Sequence, residues 1–452
     1  MNFAEKPPQN AIHNQQAPAK LGFWTATSLV TGNMVGSGIF LLPAALANFG
    51  GISLFGWIIS AFGSLTLAYV FASLARSIKG SGGPYKYSQH QFGDVVGYLV
   101  AWGYWFCVVT ANAAIALALV SYLSVFIPIL AKSALISCMV TLGFVWLLVA
   151  VNLLGIKEVG RVQLLTTITK IIPLIAIAIV GLFYLEPNHF QPFNLTNDSD
   201  FSAISSVAAL TMWAFLGLES ANIPADEVEN PQKTVPKAAL TGTFIAACIY
   251  IPSTFAVLGL IPPETLATSN APFADAAALL WGNWAYYGVA AIAVISCFGT
   301  LNGWTLVVGQ VPMAAADDGL FPRAFAKRSV KNVPVRSIVI SSVLVSCLVL
   351  MNVSDNLVEQ FTFVILLSTL TSLLPYFVCS LVHFVMLVKG SASHKANIWS
   401  ITLSTFATLF SAWIIINTGS EAIFWGLVLL IAGLPVYFYM KREQRLTKKL
   451  PN

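Results

Sequence analysis

Residues Gly32 to Phe40 read GNMVGSGIF inside one long apolar stretch, and Trp213 to Glu219 read WAFLGLE inside another. Three glycines and a serine are poor material for a continuous helix in the first. In the second, Gly217 and a carboxylate stand where a plain lipid-facing helix has neither. Within a bilayer, freed backbone N–H and C=O groups are tolerated only where protein buries them or where they line a cavity. Each interrupted stretch therefore marks a candidate site for non-covalent binding. Two ionisable residues, Glu219 and Lys170, also lie deep in apolar stretches, where a charge costs ~2.5–3.5 kcal/mol on insertion scales. Either can exchange a proton; the plainer alternatives are a carboxyl hydrogen-bonded inside the bundle and a fixed structural positive charge.

These residues must be held by membrane-spanning elements. The chain is 57% hydrophobic and 9% charged, with mean hydropathy +0.79, far from a soluble mix of roughly 25% charged residues. At ~20 residues per span, the pattern predicts twelve transmembrane helices. They lie near 22–47, 51–75, 95–126, 133–154, 162–185, 203–222, 237–261, 283–313, 335–353, 359–388, 398–418 and 421–440. The first twenty residues are polar, without a basic n-region or a small-residue cleavage pattern, so no signal peptide is expected. Residues 1–20 and 442–452 are expected to be cytoplasmic tails around a transporter domain over 21–441.

Basic residues crowd alternate loops, as the positive-inside rule requires. Arg76, Lys79 and Lys86 follow span two, Arg323, Lys327, Arg328, Lys331 and Arg336 follow span eight, and Lys389 and Lys395 follow span ten. Among the opposite loops Lys132 is the one basic residue. Both termini therefore belong in the cytoplasm, and the net charge of +5 is a topology signal rather than a mark of nucleic-acid binding. Glu158, Arg161 and His383 fall near cytoplasmic ends and are expected to be solvated or snorkelling. The six cysteines lie in apolar spans without metal-ligand spacing or a disulfide pattern, and are expected to pack. No metal or cofactor is expected.

Interrupted spans one and six, five apart, suggest an inverted repeat. Spans one to five (about 21–186) and six to ten (about 200–389) would be its halves, with spans eleven and twelve (about 398–440) appended. Small residues in membrane helices also serve helix packing, which could explain either interruption alone but explains the pair less well. Span three carries Tyr104, Cys107, Asn112 and Ile115 at spacings of three, five and three, placing parts of this set on neighbouring helix faces. Tyr104 could equally be an interfacial aromatic beside Trp102 and Trp105.

GNMVGSGIFLLPAAL, TMWAFLGLESAN, VENPQKTVPKA, NGWTLVVGQ and AAADDGLFP, in this order, resemble the amino acid, polyamine and organocation superfamily. Within it the similarity is greatest to the basic amino acid/polyamine antiporters, such as arginine/agmatine exchangers, and runs from about Leu21 to Arg442. The resemblance implies an all-α membrane fold of the sodium-coupled leucine transporter type, a 5+5 inverted repeat with broken helices one and six. It implies that backbone N–H groups at Gly36, Ser37 and Gly38 receive the substrate carboxylate at a half-helix N-terminus, with Asn33 beside them. Carbonyls near Ala214 and Leu216 would accept from the α-ammonium, Trp213 would close over the ligand, and Trp304 would lie below it, stacking on a guanidinium or shielding an alkyl chain. Tyr104 and Asn112 match gating and contact positions, and Cys107 lies among them. Glu219 matches a carboxylate that responds to pH or substrate charge.

Two departures matter. Lys170 stands where the arginine/agmatine pattern has a small apolar residue, and so resembles the sodium-independent transporters whose ammonium replaces a sodium ion between spans one, five and eight. An ammonium out of water releases its proton more readily, so Lys170 could carry a coupled proton or could be a fixed stand-in for sodium. Ile365 and Leu366 stand where adjacent serines are found, making the distal pocket more apolar and leaving a guanidinium with fewer partners. The first reading is exchange of a cationic amino acid for its amine or polyamine by alternating access. The second is a proton-coupled or facilitative amino acid permease of broader specificity. A membrane enzyme or receptor would need a catalytic or sensory constellation that the sequence lacks. A homodimer is expected by resemblance alone, and an amino acid decarboxylase is the functional partner that an exchange role would call for.

Overall fold

The computed structural model describes residues 22–78, 82–154, 157–222, 228–329, 333–351, 353, 356–392 and 397–449. The tail over 1–20, Lys79, Lys331 and Lys395 lie outside these residues, as do the side chains of Glu158 and Arg161. In chain order the helices are α1 (Phe23–Met34), α2 (Ser37–Ala47), α3 (Ser53–Ser77), α4 (Pro84–Phe92), α5 (Asp94–Leu123), α6 (Ile129–Lys132), α7 (Ala134–Leu154), α8 (Lys157–Gly181) and α9 (Asp200–Met212). They continue as α10 (Pro231–Leu260), α11 (Pro263–Ala267), α12 (Pro272–Trp281), α13 (Asn283–Asp317), α14 (Val335–Met351), α15 (Leu357–Val388), α16 (Ile398–Ile416) and α17 (Ser420–Lys449).

Nine helical segments among the described residues are long and apolar enough to cross a bilayer. Three shorter apolar helices, Thr169–Gly181, Asp200–Phe215 and Val335–Met351, fall where the remaining spans were expected. Burial ranks the elements. The most apolar windows of Phe23–Ala47 and Asp94–Leu123 are each 89% buried, whereas that of Ser420–Arg442 is 22% buried, so α1–α2 and α5 lie at the centre of the bundle and α17 at its edge. α5 packs against α13, α15, α4 and α14. Large apolar side chains such as Phe62, Ile179, Leu409 and Phe438 point outward, as a bundle facing lipid requires.

Both interruptions are present. α1 stops at Met34 and α2 starts at Ser37, with Gly36 between them at φ −122°, ψ −143°. α9 ends at Met212, a single 3-10 turn covers Trp213–Phe215, and the chain then runs extended through Leu216. Gly217 follows with φ +104°, a region that side-chain-bearing residues rarely occupy.

Two expectations are corrected here. His383 is 1% exposed, its Nε2 2.9 Å from Ser73 Oγ and its Nδ1 3.2 Å from Ser404 Oγ. It lies on the face of α15 that packs against α3 and α16, and this face, rather than proximity to the helix end, decides its burial. Cys248 and Cys347 are exposed on the outside of the bundle, while the other four cysteines are buried.

Gly217→Ala forces a Cβ into the +104° conformation, at a cost of about 1–3 kcal/mol. The expected result is a lower thermal midpoint in detergent together with loss of ligand binding, both read on the same purified sample.

Candidate functional site

Breaking the first helix leaves a backbone problem whose solution organises the site. Val35 N–H still reaches Thr31 O at 2.8 Å, but Gly36 N–H turns to Met34 O at 2.7 Å. In a continuing helix Gly36 would have bonded Gly32 O. That carbonyl accepts instead from Lys170 Nζ at 2.6 Å. The same ammonium lies 3.4 Å from Thr300 Oγ1, and Lys170 is fully buried at 0% exposure. A positive charge at a helix C-terminus complements the dipole and satisfies an orphan carbonyl. Lys170, on α8, therefore caps α1 and touches α13, so that three spans meet at one ammonium.

On the other side of the break, the first turn of α2 presents N–H groups that have no partner within the helix. Gly36, Ser37 and Gly38 line a small cavity of about 20 Å³. Ser37 Oγ is buried without a hydrogen-bond partner among the described residues. Trp213 covers Gly38 so closely that a Cβ there would lie 2.4 Å from the indole Cζ3, which requires glycine at this position. Trp213 is itself braced edge-on by Phe361, with centroids 5.4 Å apart, and its Nε1 has no partner among the described residues.

Trp304, Leu216 and Asn33 complete much of the lining, with Ala111 and Ile115 from α5. Asn33 Nδ2 donates to Ser220 Oγ at 3.0 Å, stitching α1 to the unwound part of span six. Trp304 is held through its backbone: Asn112 Nδ2 donates to Trp304 O at 3.2 Å and to Val108 O at 2.8 Å. Thr305 Oγ1 donates to Asn112 Oδ1 at 3.3 Å. The Asn112 amide is thus engaged by protein on both sides, behind the lining, and orients Trp304.

Glu219 also lies behind the lining. Its Oε1 accepts from Tyr104 OH at 2.6 Å, its Oε2 accepts from Tyr376 OH, and the residue is 1% exposed. This clamp joins the unwound segment of span six to α5 and α15. Cys107, one turn from Tyr104, is tied to α15, since Ser368 Oγ donates to its carbonyl at 3.2 Å. Ala214 is buried and Leu366 half-buried, and neither is among the residues that line the cavity.

The structure therefore sorts the expected residues into two layers. Asn33, Gly36, Ser37, Gly38, Trp213, Leu216 and Trp304 reach the cavity; Tyr104, Cys107, Asn112, Glu219 and Lys170 support it from behind. Two participants and one buried neighbour of Glu219 in sequence were missed. Thr300 lines the cavity and was detectable as the residue one helical turn before Trp304. Tyr376 carried no signal beyond being an aromatic in an apolar span. Asn222 has both side-chain polar atoms buried without partners among the described residues, and lies only three positions after Glu219.

The amino acid permease family model matches residues 21–423. A putrescine transporter, PotE, of Haemophilus influenzae is 34% identical over 431 residues, covering 95% of this chain and 99% of its own. PotE of Escherichia coli K12 is 33% identical, covering 94% and 97% respectively. The cadaverine/lysine antiporter of Escherichia coli K12 is 34% identical over 402 residues, covering 86% and 88%. The chain belongs to the amino acid permease family of the amino acid, polyamine and organocation superfamily, within the basic amino acid/polyamine antiporter group.

Replacing Trp304 by alanine removes an indole face that a cation can stack against, worth ~1–2 kcal/mol in a desolvated site. Binding of a cationic ligand in detergent is expected to weaken about tenfold while the protein remains monodisperse. Unchanged affinity would remove Trp304 from the site.

Proposed function

We propose that this protein exchanges a cationic amino acid for an amine or polyamine across the membrane by alternating access. The observation that carries the reading is the cavity at the two helix interruptions, with the α2 N-terminus on one wall and Trp213 and Trp304 on the others. A carboxylate is matched by the N-terminal dipole and free N–H groups, and an ammonium by indole faces. A substrate carrying both charges suits this site, as does a diamine held by the indoles alone. Relatives that carry putrescine, or cadaverine and lysine, point to the same substrate class.

In this reading the chain has twelve spans in a 5+5 inverted repeat, with α1–α2 and α9 with its unwound continuation as the paired broken helices. Both termini are cytoplasmic, as the distribution of basic loops indicates. No covalent chemistry is involved. Glu219, held by two tyrosine hydroxyls, is the group through which substrate charge or pH acts on spans three, six and ten. An exchanger of this kind works beside a decarboxylase that regenerates the amine.

One observation favours the second reading, a proton-coupled or facilitative permease. Lys170 places an ammonium on Gly32 O and near Thr300 Oγ1, and none of the cavity-lining residues is ionised. Lys170 then serves as the carrier of a coupled proton, whereas in the exchange reading it is a fixed charge.

Uptake of labelled lysine, ornithine, arginine and a neutral amino acid into vesicles decides between them. Exchange predicts uptake of a cationic amino acid only into vesicles preloaded with putrescine, cadaverine or agmatine. Uptake of neutral amino acids into empty vesicles under an inward proton gradient would establish the permease reading instead. Lys170→Ala is expected to reduce exchange uniformly from pH 5 to pH 8 if the ammonium is a fixed cap. A changed pH profile would make it the proton carrier.

A further inference from the structure

The AAADDGLFP segment supplied family resemblance but no role in the site. It ends α13. Leu320 N–H bonds back to Ala315 O at 2.8 Å and Gly319 N–H to Ala316 O at 3.1 Å, with Gly319 at φ +74°, a glycine-terminated helix stop. Asp317 and Asp318 thus stand at the negative end of a 35-residue helix, where the dipole disfavours carboxylates. Each is matched by a cation. Arg328 pairs with Asp317, and Lys86 Nζ lies 2.9 Å from both oxygens of Asp318.

The second pair is more than a surface contact. Tyr85 OH also donates to Asp318 Oδ2 at 3.1 Å, and Lys86 and Asp318 are only 32% and 28% exposed. Burial, reinforced by the adjacent carboxylate, pushes the Tyr85 hydroxyl far up, so it remains a donor at any physiological pH. Both donors sit on α4, a nine-residue helix bracketed by glycines with positive φ at Gly82, Gly83 and Gly93. These glycines adopt backbone conformations that side-chain-bearing residues rarely take, so α4 is set off from α3 and α5 by sharp turns.

α4 is connected to the substrate site by contact. Cys379 Sγ lies 3.4 Å from Pro84 O at the start of α4, one helical turn from Tyr376 on α15. Tyr87 of α4 meets Phe71 of α3 at 6.4 Å between centroids, and Phe71 meets Tyr376 edge-on at 5.2 Å. Tyr376 donates to Glu219. Side-chain contacts therefore run from the Glu219 clamp to Tyr87, and the backbone of α4 carries the connection on to Tyr85, Lys86 and the Asp318 clasp at the basic face of the bundle, the cytoplasmic face by the positive-inside rule.

We propose that α4 is a cytoplasmic latch, held shut by Asp318 through Lys86 and Tyr85 and released when the Glu219 clamp rearranges with its ligand. The latch rests on the transport reading above and adds the element that seals one side. Its counterpart on the opposite side is Trp213. A closed latch shields Cys379, which makes that thiol a built-in reporter.

The test is the rate at which a membrane-impermeant maleimide modifies Cys379, followed by mass spectrometry of its peptide in vesicles exposing the cytoplasmic face. Lys86→Asp and Asp318→Lys are expected to speed labelling about fivefold, the scale of losing one well-placed ion pair. The double reversal is expected to return within about twofold of the native rate. Asp318→Asn, which preserves shape, is expected to fall between and guards against misfolding of the reversed variants. Equal rates in all five proteins would overturn the latch, as would a double reversal no slower than the single ones. Exchange is measured on the same vesicles. Equal labelling with exchange intact defeats the latch alone, whereas a native protein that exchanges neither amine nor amino acid defeats the transport reading beneath it.

Discussion

A membrane helix cannot be broken without placing the backbone groups that the break sets free, and here one ammonium takes the carbonyl freed at Gly32. Gly36 N–H has left Gly32 O, and Lys170 Nζ occupies the vacated carbonyl at 2.6 Å. Because Lys170 belongs to α8 and also approaches Thr300 on α13, the cap is a junction of three helices. The open N-terminus of α2 can then be left for a ligand. Span six solves the same problem differently, with a 3-10 turn, a positive-φ glycine and the Asn33–Ser220 bond that returns it to α1.

On the proposed reading, the layer behind the cavity lets an apolar pocket serve charged molecules. The residues that line the cavity present backbone, indole and small side chains, while Glu219 is engaged by Tyr104 and Tyr376. A buried carboxylate satisfied in this way holds α5, α15 and the unwound segment in one arrangement. Any ligand or proton that competes for its oxygens acts on all three elements together. On the proposed reading, this is how occupancy of a small cavity is felt at α4, since Tyr376 is shared by the clamp and the aromatic path to that helix.

Much of this was legible in the sequence because its signals were chemical. Glycines in an apolar run, Gly217 beside Glu219, and a lysine at mid-span are each costly in lipid, and each turned out to sit at a break or a buried polar junction. What could not be read was which way side chains face. Helices buried on one side and lipid-exposed on the other are apolar all round, so the usual alternation of polar and apolar faces is missing. His383 illustrates this, since position along α15 suggested solvent and its packed face imposed burial. Asn112 was expected to face the ligand and instead engages the backbone of Trp304. Tyr376 and Lys86 gained meaning only from partners far away in sequence, Glu219 and Asp318.

The most direct test of the account is a cryo-EM structure in lipid nanodiscs with lysine or putrescine bound and sodium present. The account predicts ligand density between the α2 N-terminus and Trp304, with Lys170 still on the Gly32 carbonyl. Ligand bound away from the two interruptions, or a metal ion at Gly32 with the lysine turned aside, would contradict it.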